Sequence, residues 1–242
     1  MPALRVVLGD QLSNEISSLN NIDAENDIVL ICEVFAEATY VKHHKKKIAF
    51  LFSAMRHFSE ELRNEKKYQV EYFRLSDPEP MSSFTQAVEK TLANHKIDEI
   101  IVTSPGEYRV LTEINGWQEL FGVPVDIRED DRFLCNQFEF RKWSKDRKNL
   151  RMEYFYREMR KKYSILMDGD QPVGGKWNFD IENRKSPNSN FDVPETFSSE
   201  PDKVTLDVMK LVDDKFSDHM GVLSSFHFAV NATQAKLALT QF

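Results

Sequence analysis

Short apolar runs alternate with amphipathic stretches through the first 130 residues. Leu4 to Leu8, Asp27 to Val34, Tyr68 to Leu75, Glu99 to Thr103 and Val123 to Ile127 are rich in β-branched and aromatic residues and read as strands. Between them, Lys46 to Arg63 places Ile48, Leu51, Phe52, Met55, Phe58 and Leu62 at three- and four-residue spacing, one apolar stripe on a helix. Ser82 to Ala93, with Ser82 as its cap, and Tyr108 to Leu120 read as two more helices. Parallel neighbours require a crossover, and the crossover is right-handed. The pattern therefore predicts an α/β fold over residues 1–130: a doubly wound, mostly parallel five-stranded sheet.

After Asp130 the strand pattern stops. Asn136 to Ser144 and Leu150 to Tyr163 read as helices, the second with Met152, Phe155, Tyr156, Met159 and Tyr163 along one side, so residues 131–163 form a helical extension of the first domain. Residues 164–201 hold Gly169, Gly174, Gly175 and four of the nine prolines without periodicity, which predicts an interdomain loop. Lys203 to Phe216 resumes as a helix, and residues 202–242 read as the start of a second, helical domain. From Asn231 the run NATQAKLALTQF builds an apolar face with no stop signal. The chain is thus expected to be the amino-terminal part of a larger protein.

Charge changes the picture at one place. The net charge is -7, yet Arg141 to Lys162 holds ten Lys or Arg against three acids. A basic strip in an acidic chain is the footprint expected for a polyanion, or else a solvated helix face. No apolar run reaches the roughly 18 residues of a membrane span, and the first residues lack a signal-peptide pattern. Cys32 and Cys135 have neither metal nor redox spacing, so a cytoplasmic location and no metal site are expected.

In an open α/β sheet, ligands bind beyond the carboxyl ends of the strands. The first strand is followed by Gly9, Asp10 and Gln11, the second by Cys32, Glu33, Glu37 and Tyr40, the fourth by Ser104, Pro105, Gly106 and Glu107. This carboxylate-rich set suits a flat heterocycle with N–H donors and carbonyls, Gly9 and Gly106 letting the backbone come close. It does not suit a triphosphate, since carboxylates repel one and neither GxGxxG nor GxxxxGK[ST] occurs. Plainer roles stand beside these: a turn for Gly9, a cap for Asp10, core packing for Cys32, Leu51 and Met55, and a solvated helix start for His43 and His44. No Ser, His and Asp spacing suggests a hydrolytic triad. In the basic strip, Arg157, Arg160, Lys161 and Lys162 are expected to project outward toward phosphates. The loop segment GGKWNFDIENRK, with Lys176, Arg184 and Lys185 flanking Trp177 and Phe179, is either a flexible clasp or a linker anchored by two aromatic rings.

Four motifs carry a resemblance: VVLGDQLS at Val6 to Ser13, CEVFAEATYVKHHKKKIAFLFSAMRHF at Cys32 to Phe58, MEYFYREMRKK at Met152 to Lys162 and GGKWNFDIENRK at Gly174 to Lys185. In this order, and over essentially the whole chain, they resemble the photolyase-related family of bacterial cryptochromes and (6-4) photolyases with an iron–sulfur cluster. The resemblance implies an antenna domain of photolyase fold, a long interdomain loop and a helical FAD-binding domain. It implies a dimethyl-ribityllumazine antenna in this domain, with FAD, a 4Fe-4S cluster and the catalytic groups outside these residues, so that these residues alone do no repair. The excited, reduced flavin of that family donates an electron to a (6-4) pyrimidine dimer flipped out of DNA. By position, Gly9, Asp10, Cys32, Glu37 and Tyr40, with Leu51 on an apolar wall, would hold the pigment; the strand-end argument adds Gln11, Glu33, Gly106 and Glu107. Lys161, Lys176, Arg184 and Lys185 would meet DNA. The implied partners are damaged DNA, the pigment and the protein's own FAD domain, in a monomer free of membranes. A signalling cryptochrome without repair, a free-standing nucleotide-binding module and a nucleic-acid interaction domain are the alternatives.

Overall fold

A computed structural model of the chain describes residues 1–186, 190–192 and 195–242. These fall into two compact units, residues 1–130 with 196–242, and residues 131–195. In the first, Ala3–Val6 (β1), Ile28–Cys32 (β2), Gln69–Phe73 (β3), Glu99–Thr103 (β4) and Val125–Arg128 (β5) form one wholly parallel sheet in the order β3-β2-β1-β4-β5. The most apolar runs, in β1, β2 and β4, take the buried middle, and β3 and β5 take the half-buried edges. Side chains alternate between faces, so Val29 and Ile31 of β2 join one apolar cluster while Ile28, Leu30 and Cys32 join the other.

Helices cover both faces. They are Phe35–Thr39 (α1), Lys45–Asn64 (α2), Phe84–Asn94 (α3), Tyr108–Asn115 (α4) and Trp117–Phe121 (α5). The α2 stripe buries Ile48, Phe52, Met55, Phe58 and Leu62 on one side of the sheet, while α3, α4 and α5 bury Phe84, Val88, Val110 and Trp117 on the other. Two local expectations change. Ser83 rather than Ser82 caps α3, accepting the Gln86 N–H at 3.1 Å, because the Gln86 side chain reaches back to accept from Ser82 at 2.7 and 2.9 Å. The helix expected over Tyr108 to Leu120 is divided at Gly116, where glycine weakens helical continuity, and α5 ends on the left-handed Gly122.

In the second unit, Gln137–Ser144 (α6) and Met152–Tyr163 (α7) precede a two-stranded hairpin of Met167–Asp168 (β6) and Gln171–Pro172 (β7). Asn136 caps α6 through the Glu139 N–H at 2.8 Å. Phe140, Trp143 and Phe155 make a small aromatic core with centroids 5.0 to 5.7 Å apart. In the predicted interdomain loop, Trp177 lies 5.3 to 5.4 Å from Arg157, Arg160 and Lys161 of α7, and Asn178 donates to Glu153 at 3.1 Å. The start of GGKWNFDIENRK is therefore an anchored segment, with both glycines at positive φ as that turn requires. Residues 187–189 and 193–194 of the predicted loop lie outside the described residues.

Residues 202–242 differ from the expected start of a separate domain. Lys203–Lys215 (α8) packs along α2, and Val208, Val212, Phe216, Leu223, Phe226 and Val230 complete the apolar cluster beneath it. The reason is the width of the α2 stripe: one face of the sheet cannot cover it alone. Ala232–Gln241 (α9) follows, capped by Asn231 through the Gln234 N–H at 2.9 Å.

Candidate ligand-binding site

Strand order reverses between β1 and β4, which opens a crevice beyond their carboxyl ends. A cavity of about 270 Å³ occupies it. Gly9 and Asp10 reach it from the end of β1, Cys32, Glu37 and Tyr40 from β2 and α1, Gly106 and Glu107 from the end of β4, and Leu51 from α2. Eight of the ten residues that the sequence names for holding a ligand thus line one space, all but Gln11 and Glu33. Gly9 belongs there for lack of bulk, since a Cβ would lie 3.1 Å from the Met55 sulfur. The wall is apolar, from residues such as Val34, Phe52 and Phe84, and the polar groups are few.

Gln11 and Glu33 do not line this cavity. Gln11 is fully buried, its amide donating to the Thr103 carbonyl at 3.1 Å, so it ties the end of β1 to the end of β4 and supports the crevice. Glu33 is also fully buried and points to the opposite face from Cys32, as alternation demands. Its carboxylate accepts from Arg56 at 2.6 and 3.0 Å, Tyr72 at 2.8 Å and the Leu75 N–H at 2.9 Å. Burial of Tyr72, reinforced by the Glu33 carboxylate, holds that phenol well above its ordinary pKa. The pair joins β2, β3 and α2 and has no capacity left for a ligand.

The polar side of the cavity is an organised network. Arg109 on α4 donates to both oxygens of Glu37, at 2.7 and 2.6 Å, and to Glu107 at 3.0 Å. Its guanidinium lies 4.7 Å from the Tyr40 ring centre, and the Tyr40 hydroxyl donates to Glu107 at 3.2 Å. Those hydrogen bonds to Glu37 push the guanidinium pKa above its ordinary value, whereas partial burial and the Glu107 carboxylate push the Tyr40 phenol up. His43 and Lys47 also line the cavity, with Lys47 Nζ 3.3 Å from His43 Nδ1. Burial and the Lys47 charge lower the imidazole pKa, which favours the neutral ring. This replaces the expected solvated helix start for His43, whereas His44 is the α2 cap, accepting the Lys46 N–H at 3.1 Å. His43 and Lys47 carried one legible signal: four residues apart, they flank the start of α2, one just before its cap and one in its first turn. Cys32, buried in the wall, has its thiol pKa raised by burial and by Glu33. The site is thus an apolar slot with acceptor carboxylates, the Lys47 ammonium as a donor and the Tyr40 hydroxyl held on Glu107 at its polar end.

In the second unit, Lys161, Lys176, Arg184 and Lys185 are all exposed. Lys161 lies over Trp177, Lys176 lies 5.9 Å from the Phe179 ring, and Arg184 ends a short 3-10 turn. Arg160, expected to project outward, is buried instead and donates to the carbonyls of Ile165, Leu166 and Trp177. Among the described residues, no three His, Cys, Asp or Glu side chains converge as metal ligands, and no helix is long and apolar enough to cross a membrane.

A family profile described as deoxyribodipyrimidine photo-lyase-related protein matches residues 5–228. The chain belongs to this photolyase-related family. Across all 242 residues it is 50% identical to a (6-4) photolyase of Agrobacterium fabrum, of which it covers 48%. It is also 25% identical over 200 residues, 79% of the chain, to an uncharacterized protein of Acanthamoeba polyphaga mimivirus, covering 98% of that protein. This photolyase-related chain therefore spans about half the length of its Agrobacterium relative and nearly the whole length of its viral one.

Proposed function

We propose that the chain is the antenna-bearing part of a flavin-dependent DNA photolyase, in which a bound dimethyl-ribityllumazine passes excitation energy to FAD for light-driven repair of (6-4) pyrimidine dimers. The observation that carries the reading is the convergence of Gly9, Asp10, Cys32, Glu37, Tyr40, Leu51, Gly106 and Glu107 on one cavity at the strand-order switch, in a chain half identical to a protein named (6-4) photolyase. A volume of about 270 Å³ suits one fused-ring heterocycle and is too small for a dinucleotide. Asp10, Glu37 and Glu107 offer acceptors to ring N–H and ribityl hydroxyl groups, Lys47 offers a donor to ring carbonyls, and the apolar wall excludes water from the ring. The pigment supplies light absorption; these residues bind and orient it. FAD and a 4Fe-4S cluster are assigned to sequence outside these 242 residues, and the exposed Lys161, Lys176, Arg184 and Lys185 to contact with DNA.

The test is optical. The purified chain, incubated with dimethyl-ribityllumazine, is expected to retain blue-region absorbance through desalting, with the released pigment identified by mass. Leu51→Trp fills the slot, so this variant is expected to keep its circular dichroism and lose the pigment. Equal occupancy in both proteins would place the pigment elsewhere. A second reading, a free-standing α/β ligand-binding module, draws support from the viral relative, matched over 98% of its own length. A chain that retains an adenine nucleotide instead of the pigment would favour it.

A further inference from the structure

Hydrogen bonds and ion pairs divide the basic strip in two. Four cations are already engaged: Arg147 with Glu158 at 3.0 Å, Arg157 with Glu153 at 2.7 Å, Lys162 with Glu139 at 2.5 Å, and the buried Arg160 with three backbone carbonyls. Arg141, Lys142, Lys145, Lys148 and Arg151 are all exposed, and none has an acidic partner among the described residues. They lie along the end of α6 and the connection to α7. The α7 helix, whose cations the sequence brings to notice first, spends most of them on internal structure.

We infer that residues 141–151 are the main phosphate-contacting surface of this chain, fitted to the backbone of double-stranded DNA without reading its sequence. Uncompensated cations spread over the end of α6 and the turn and connection that follow it match a polyanion with regularly spaced charges, whereas a single anion would be met by converging side chains. Exposed lysines without partners also lose little hydration and no existing ion pair on meeting phosphate, unlike Arg147, Arg157 or Lys162. The inference rests on reading the chain as part of a DNA-acting protein, but it needs neither pigment nor lesion.

The test is binding of the 242-residue chain to a fluorescein-labelled, undamaged duplex, followed by anisotropy across a salt series. The variant carries Lys142→Gln, Lys145→Gln and Lys148→Gln. A control of equal charge change carries Lys66→Gln, Lys96→Gln and Lys236→Gln, all exposed in the other unit. Three lost phosphate contacts are expected to flatten the slope of log affinity against log salt by about 2.7, so that the affinity lost between ~50 and ~200 mM salt shrinks about 40-fold. The control is expected to keep the wild-type slope. An unchanged slope in the 142/145/148 variant overturns the inference, as it would if these cations served an acidic protein partner, and so does a control that flattens equally. A wild-type chain that fails to bind duplex at all removes the DNA reading along with it, while the pigment test stands apart.

Discussion

Arg109 shows how a residue outside the cavity lining can govern what the lining does. Its fork fixes Glu37 and Glu107, which reach the cavity from opposite sides of the crevice, and its charge lies over Tyr40. Only a planar guanidinium makes these contacts together, so lysine is no substitute. Arg109→Gln is expected to leave the melting temperature within about 2 °C, since exposed ion pairs contribute little, and to speed pigment release severalfold in a stopped-flow or filter assay. In wild type, raising salt should speed release in the same direction, while the variant should show little salt effect. Identical release rates for the two proteins would show that this network does not hold the ligand. Residue by residue, the site was only partly legible. Glu33 and Glu37 look alike in sequence, and alternation of strand faces together with Arg56 on a remote helix separates a buried structural carboxylate from one at the cavity.

Among the elements, α8 is the one whose role was least visible beforehand. Its start is held twice by Asp202, which accepts the Thr205 N–H at 2.9 Å and pairs with His57 of α2 at 2.6 Å. Although burial pushes the Asp202 pKa up, the Thr205 and His57 hydrogen bonds outweigh it and hold the carboxyl below its ordinary 3.8. A depressed carboxyl pKa contributes stability above its unfolded value, and that contribution fades as pH falls through the folded one. Asp202→Ala is expected to cost about 1 kcal/mol at neutral pH through the lost cap, and the gap in urea midpoints between the two proteins should narrow below pH 3.8. A gap that stays constant to pH 3 would mean that the carboxylate charge plays no part. Longer elements were read well: α2 and β4 follow from periodicity within a residue or so of their ends. The five-residue α1 was not, because a segment this short cannot show a helical repeat.

For the whole molecule, the consequential finding is that residues 203–230 belong to the core of the α/β unit. Six of their apolar side chains are buried there. At roughly 1.5–3 kcal/mol each, they contribute on the order of 10 kcal/mol, the size of a domain's entire stability. A chain ending at Asp202 is therefore expected to show no cooperative thermal transition by circular dichroism and to bind no pigment. A sharp transition near that of the 242-residue chain would show that the sheet and its first helices suffice. By itself the sequence determined the α/β class, the strands in order and the small set of strand-end residues from which the site is drawn, because periodicity and turn chemistry act over a few neighbouring positions. Only the tertiary structure decided that Glu33 and Gln11 serve the scaffold while His43 and Lys47 serve the cavity, which cations stay free, and that α8 closes the core. Each of these depends on partners brought together from distant parts of the chain, and no local pattern records a partner.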